Sequence, residues 1–185
     1  VPPGPVVIVT GPPGAGKTTV AGILAARFQP SVRLESDSFW TTIVNGFVEP
    51  WRPGAERQNR AVLGAVAAAA TELARGGYTV VVDGIVGPWF LPVFSGRFAE
   101  AGIDGHYVVL RPPLEVTLAR AAGRLGEEAV PGHPALTDEE PVRHMWGQFA
   151  DLGDHERHVI DNRALGPDQT ATLIVARFAD GVDRL

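Results

Sequence analysis

The chain has 185 residues, 45% of them hydrophobic, with 22 Gly, 16 Pro and no Cys. That length suits one domain able to bury its own core, and the lack of cysteine excludes thiolate catalysis, disulfide scaffolds and Cys-ligated zinc or iron–sulfur centres. A formal net charge of −5 supplies no cationic field, so neither nucleic acid nor an anionic membrane is expected as a partner.

In chain order, Val6-Val7-Ile8-Val9-Thr10 opens as a strand, followed by a helix from Lys17 to Phe28 and a weaker strand from Val32 to Glu35. A short helix, Ser38 to Val44, follows with Asp37 as its cap, since Asp is a preferred capping residue. The stretch Ala55 to Arg75 reads as a long helix stopped by Gly76-Gly77. Then come a strand, Tyr78 to Asp83, a helix, Pro88 to Ala101, a strand, Gly105 to Leu110, and a helix, Pro113 to Arg124. A helix from Asp138 to Leu152, a weak strand from His158 to Asp161 and a helix from Pro167 to Phe178 complete the chain. The three strong strands are almost continuously apolar rather than alternating, which a strand buried on both faces of a parallel sheet requires. Strands alternating with helices predict a doubly wound α/β sheet. Between Gly123 and Pro141 the sequence is rich in Gly, Pro and acids, and reads as a functional loop leaving the sheet.

No segment approaches the ~20 apolar residues needed to span a bilayer, and Val6 to Val9 is too short for a signal-peptide core. A cytoplasmic location is expected.

The decisive motif is Gly11-Pro12-Pro13-Gly14-Ala15-Gly16-Lys17-Thr18, which satisfies G-x-x-x-x-G-K-[ST] between a buried strand and a helix. The glycines let backbone N–H groups wrap a phosphate, and the helix adds its positive end. Lys17 is expected to reach the β and γ phosphates of a nucleoside triphosphate and Thr18 to bind Mg²⁺, and Thr19 is counted with the loop among the nucleotide-binding residues. Asp83, ending the Val80-Val81-Val82 strand, stands where an acid can orient the Mg²⁺ shell. Of 16 basic residues all but Lys17 are Arg, so the Asn-Lys-x-Asp element of guanine-specific switches is absent. AAA-type and motor ATPases are set aside on length, which leaves little room for a sensor region, and a small phosphotransferase fits better.

At Leu34-Glu35-Ser36-Asp37-Ser38-Phe39-Trp40 the chain resembles the small-molecule P-loop kinases: gluconate kinase, shikimate kinase, adenylylsulfate kinase and the chloramphenicol phosphotransferase-like group. These carry an Asp-x-Asp or a lone Asp at that place; here Glu35 takes the first position and Ser36 replaces a common Gly. The resemblance runs from about Val6 to Asn162. It implies a three-layer P-loop NTPase fold with a five-stranded parallel sheet of nucleoside-monophosphate-kinase type and a short lid at about 124–141. It also implies that Asp37 faces the acceptor hydroxyl, a role the physics of phosphoryl transfer supports, because one group must orient the attacking oxygen and take its proton. By the same resemblance, residues 42–60 form an acceptor-binding flap, with Trp51 and Phe47 as walls and Arg52 or Arg57 holding an anionic group. Gly84 to Phe90 is a second wall, whose aromatic and aliphatic residues suggest a partly apolar acceptor. The resemblance also implies that Arg120 and Arg124, four apart on one helix, close over ATP, with Arg124 the stronger candidate for stabilising the moving phosphoryl group. His155 and His158 lack a third ligand and read as surface or packing residues.

The expected activity is therefore ATP- and Mg²⁺-dependent phosphorylation of a small-molecule hydroxyl. A nucleoside or nucleotide kinase and a non-catalytic ATP-binding regulatory module are the alternatives.

Overall fold

Strand β1 (Val6–Thr10) is fully buried at the centre of a five-stranded sheet. The computed structural model describes residues 1–130 and 133–185, with backbone alone at 129, 130, 133 and 134. β1 pairs in parallel with β3 (Thr79–Asp83) on one side and β4 (Gly105–Leu110) on the other. β2 (Ser31–Glu35) flanks β3 and β7 (Val159–Ile160) flanks β4, giving the order β2-β3-β1-β4-β7, all parallel. This is the five-stranded parallel sheet expected from the sequence.

Both faces are covered, which is why the central strands read as unbroken apolar runs. Val6, Ile8, Val80, Val82, Tyr107 and Val109 pack against α3 (Glu56–Arg75) and α4 (Leu91–Ala101). Val7, Val9, Val81, Val108 and Leu110 pack against α1 (Lys17–Ala25) and α7 (Pro167–Ala179). In α3 the buried residues Asn59, Val62, Leu63, Val66, Ala67, Ala70, Thr71 and Ala74 recur at helical spacing and form one stripe. Among the described residues no helix is long and apolar enough to cross a membrane.

Several elements differ from the sequence expectation. The helix α2 spans only Asp37–Trp40, so Asp37 is its first residue and the buried Ser36 occupies the cap position without a side-chain capping bond. The Pro88 to Ala101 stretch divides into a 3-10 turn, Pro88–Phe90, and α4. Pro92, which has no N–H to donate, falls in the first turn of that second helix, where none is needed. α5 covers Leu114–Ala122, and α6 covers Glu139–Gln148 rather than reaching Leu152; a 3-10 turn, Gly153–His158, follows. Inside the segment read as irregular, β5 (Glu128–Val130) and β6 (His133–Pro134) pair as an antiparallel ribbon. The expected lid, about 124–141, includes 131 and 132, which lie outside the described residues. His158 is fully buried beside Asp183, while His155 stacks on it and both pack edge-on against Tyr107; they are packing residues.

Register brings the functional ends together. Glu35 of β2 lies opposite Asp83 of β3, which lies opposite Val9 of β1, so three adjacent strands finish at one edge. Ligands of open parallel sheets bind at that carboxyl edge.

Candidate functional site

The loop after β1 is shaped by close backbone contacts. At Gly11, with φ +140°, a Cβ would lie 2.1 Å from the Leu110 carbonyl oxygen. At Gly14, with φ +80°, it would lie 2.5 Å from the carbonyl oxygen of Thr117. Only glycine fits a left-handed turn wedged between β4 and α5. α1 then starts at Lys17 behind Gly16, with no side-chain cap, so the N–H groups of its first turn lack an intrahelical partner. Those donors and the positive helix end form an anion cradle.

Lys17 Nζ reaches back across the loop and donates to the Pro12 carbonyl at 3.0 Å. Its removal from bulk water pulls the ammonium pKa below the ordinary lysine value, against the opposing pull of Asp83 and Asp37. Thr18 Oγ1 donates to Asp83 Oδ1 at 3.5 Å, linking loop and β3. Asp83 is 3% exposed, and its Oδ2 has no hydrogen-bond partner. Burial raises the Asp83 pKa; Lys17 and Arg33 oppose that rise. Arg33, on the edge strand β2, was not singled out by the sequence. Its Nη1 lies 3.6 Å from Asp83 Oδ2 and donates to the Thr18 carbonyl at 3.4 Å, so it ties together the two residues expected at the metal.

The donor set fits Mg²⁺. A hydroxyl and a buried carboxylate with one unsatisfied oxygen are hard oxygen ligands, and Mg²⁺ is commonly held by few protein groups plus phosphates and water. Among the described residues no group of three or more His, Cys, Asp or Glu could hold a metal, so no all-protein cage competes with that arrangement.

Two further residues brace the cradle and were missed by sequence reasoning. Asn162, 3% exposed and two residues beyond β7, donates from Nδ2 to the Ala15 carbonyl at 3.0 Å. Tyr107 donates its hydroxyl to the Val86 carbonyl at 2.7 Å, while the Val86 N–H donates to Thr10 Oγ1 at 2.8 Å, fixing the loop after Asp83. Neither contact has a local motif, because each joins residues far apart in sequence.

Asp37 opens onto the same space. Ser36 donates its N–H to the Asp83 carbonyl at 2.8 Å, which locks the turn that presents Asp37. Among the described residues the Asp37 carboxylate has one hydrogen bond, from Ser36 Oγ at 3.5 Å, and it caps no helix.

These groups line a cleft of about 1660 Å³ that contains Pro13, Lys17, Thr18, Asp37, Asp83 and Arg124 at one end. Arg124 pairs there with Glu127 at 3.1 Å. The cleft is also lined by Ile85, Trp89 and Phe90 of the loop after β3 and by Trp40, Phe47 and Trp51. Gln58 and Asn59 of α3 hold the flap: Gln58 exchanges hydrogen bonds with the backbone of Val48 at 2.8 and 2.6 Å, and Asn59 donates to the Pro50 carbonyl at 2.7 Å. Arg52 lines the cleft but is paired with Glu49. Arg57 is exposed and is not among the lining residues; Arg60, one turn further along α3, is. Arg120 is separated from Arg124, lining with Gly16, Thr19 and Asn162 a smaller cavity of about 190 Å³ on the other side of the loop.

A strand, a glycine-shaped phosphate loop and a helix, set at the carboxyl edge of a β2-β3-β1-β4-β7 parallel sheet, define a P-loop NTPase fold. A family profile described as AAA domain matches residues 6–152, and the chain belongs to that family. The family thus carries the AAA name that the length argument had set aside. No curated protein sequence matches the chain.

Among solved structures, the tunicamycin resistance protein of Deinococcus radiodurans is 21% identical over 95% of each chain, with a TM-score of 0.67. The Mycobacterium tuberculosis APS kinase, in complex with AMPPNP and APS, is 19% identical over 97% of this chain and 99% of its own, with a TM-score of 0.68. A sugar kinase from Janibacter sp. HTCC2649 is 21% identical over 98% and 99%, with a TM-score of 0.68. At these identities the likeness is one of fold.

Proposed function

We propose that the protein is an ATP-dependent phosphotransferase that moves the γ-phosphate of ATP to a hydroxyl of a small molecule. The observation that carries this reading is the convergence of Lys17, Thr18, Asp83, Asp37 and Arg124 on one cleft that extends beyond the phosphate loop into an aromatic chamber. A module that only bound nucleotide would have no need of a carboxylate facing such a chamber. The kinases among the similar folds support the reading.

The loop N–H groups and Lys17 hold the β and γ phosphates, and Arg124, released from Glu127, adds charge against the transferring group. Asp37 orients the acceptor hydroxyl and takes its proton as the oxygen–phosphorus bond forms and the bond to the ADP oxygen breaks. Thr18 and Asp83 would hold Mg²⁺, which when bound neutralises phosphate charge. Arg33 keeps Asp83 beside a cation and so favours its ionised form. Arg120 lies on the nucleotide side of the loop, where it contributes to ATP affinity rather than to transfer.

The nucleotide-kinase alternative is less favoured, because Arg57 is not among the cleft-lining residues and Arg52 is paired there with Glu49. The test is ADP release, with mass spectrometry of the products, across nucleotides, sugar acids and hydroxylated antibiotics. Acceptor-dependent ADP and a phosphorylated alcohol are expected; tight ATP binding with no product from any acceptor would favour the regulatory module.

A further inference from the structure

Resting on that reading, we infer that the acceptor is an alcohol with an aromatic or otherwise flat apolar body and a positively charged amine, and not an anion. The far end of the cleft is apolar and aromatic, yet its large rings are left uncovered. Trp51 is 36% exposed and Trp89 47% exposed, and both line the cleft together with Leu63 and Met145. Such rings bind flat apolar groups and attract cations through their faces.

The charge around them is one-sided. Asp37, Glu56, Asp138 and Glu140 line the cleft, and none has an ion-pair partner among the described residues. Among the described residues the arginine of this chamber without such a partner is Arg60, since Arg52 is held by Glu49, and His144 also lines the cleft. Glu56 and Glu140 sit in the first turns of α3 and α6, whose positive ends offset roughly half a charge each, which still leaves the chamber negative. At the phosphate end Lys17 and Arg124 stand beside Asp83 and Asp37, so cations and carboxylates are mixed there. An acceptor carrying carboxylate, sulfate or phosphate would meet unpaired carboxylates. An ammonium group would meet carboxylates and ring faces, while a hydroxyl reached Asp37.

The test uses the full chain with Mg²⁺ and a non-hydrolysable ATP analogue, and three ligands sharing a phenyl ring and a benzylic hydroxyl: 2-amino-1-phenylethanol, 1-phenyl-1,2-ethanediol and mandelate. They differ in carrying a positive, zero or negative charge. Binding is followed by tryptophan fluorescence, since Trp40, Trp51 and Trp89 line the cleft, and by calorimetry. Affinity should fall in that order, with the amine roughly tenfold tighter than mandelate at low salt. The preference should shrink at high salt and in the E56Q/E140Q variant. Equal or tighter binding of mandelate, no detectable binding of any of the three, or an amine preference untouched by E56Q/E140Q would overturn the inference. The titration is repeated without nucleotide and nucleotide binding is measured separately. A cleft that selects the amine in a protein that fails to bind ATP would condemn the phosphotransferase reading alone; ATP binding with mandelate preferred would condemn the acceptor class alone.

Discussion

Asn162→Ala is a sharp test of how the phosphate loop is held. Asn162 Nδ2 donates to the carbonyl of Ala15, a residue with no exposure, so truncation leaves a buried oxygen unsatisfied as well as opening space. Losing one partner of a buried hydrogen bond costs about 1–3 kcal/mol. Taking about 2 kcal/mol, and a shift of roughly 2–4 °C per kcal/mol for a chain of this size, the melting temperature should fall by about 4–8 °C. Nucleotide must then restore the loop geometry out of its own binding free energy, and at 1.4 kcal/mol per decade its Kd should rise by up to roughly 30-fold. Asn162→Asp should be worse at neutral pH, because a carboxylate cannot donate and places negative charge against the Ala15 oxygen. Calorimetric melting with and without ADP, and titration of ADP, read both effects. Unchanged melting and unchanged ADP affinity in both variants would refute the bracing role.

Further outcomes are expected elsewhere. Gly14→Ala should destabilise the fold and abolish nucleotide binding, since the new Cβ would lie 2.5 Å from the Thr117 oxygen at φ +80°; Gly64→Ala, inside α3 with nothing within 4 Å, should instead raise stability by about 0.4–1 kcal/mol in urea melts. Arg124→Ala should lower the transfer rate by roughly 10³-fold or more with little change in ATP affinity, whereas Arg120→Ala should weaken ATP binding, a split that steady-state and binding assays separate. Stability should fall with acid in two stages. Burial lowers the His106 pKa, so the folded imidazole stays neutral while the unfolded one protonates, and stability is lost as pH drops below about 6.5. Burial acts to raise the Asp183 carboxyl, but its bonds with Arg177 and then His158 together prevail and hold it low; its contribution is present above the unfolded carboxylate pKa of about 3.9 and disappears as pH falls through the lower folded value. Denaturant melts from pH 8 to pH 3 should show both stages, with the second weakened in Arg177→Gln.

The sequence was most legible where the physics is local. The apolar runs at Val6, Val80 and Val108 reveal buried parallel strands because both faces are covered by helices. β2 reads weakly because it is the sheet margin and stays half exposed, and β7 because it has two residues. The phosphate loop and Asp83 are readable because strand, glycine turn and helix follow one another, or end one another, along the chain. Arg33 and Asn162 are not: an Arg on an edge strand resembles any solvated Arg, and Asn162 acts on a residue 147 positions away. Asp37 was identified but assigned a capping bond that the structure does not contain; α2 starts at Asp37 itself, which leaves its carboxylate facing the cleft. Arg57 and Arg60 show a limit of another kind, since both are exposed arginines of one helix and only the packing of α3 decides which of them lines the chamber.

The central claim is that Asp37 serves the acceptor and the phosphate loop serves ATP. Its most direct test is Asp37→Asn, measuring product formation with an acceptor found in the panel beside the Kd for ATP. The account predicts a loss of transfer of about 10²–10⁴-fold with ATP affinity unchanged. Transfer at the original rate, or a loss of ATP binding as large as the loss of transfer, would contradict it.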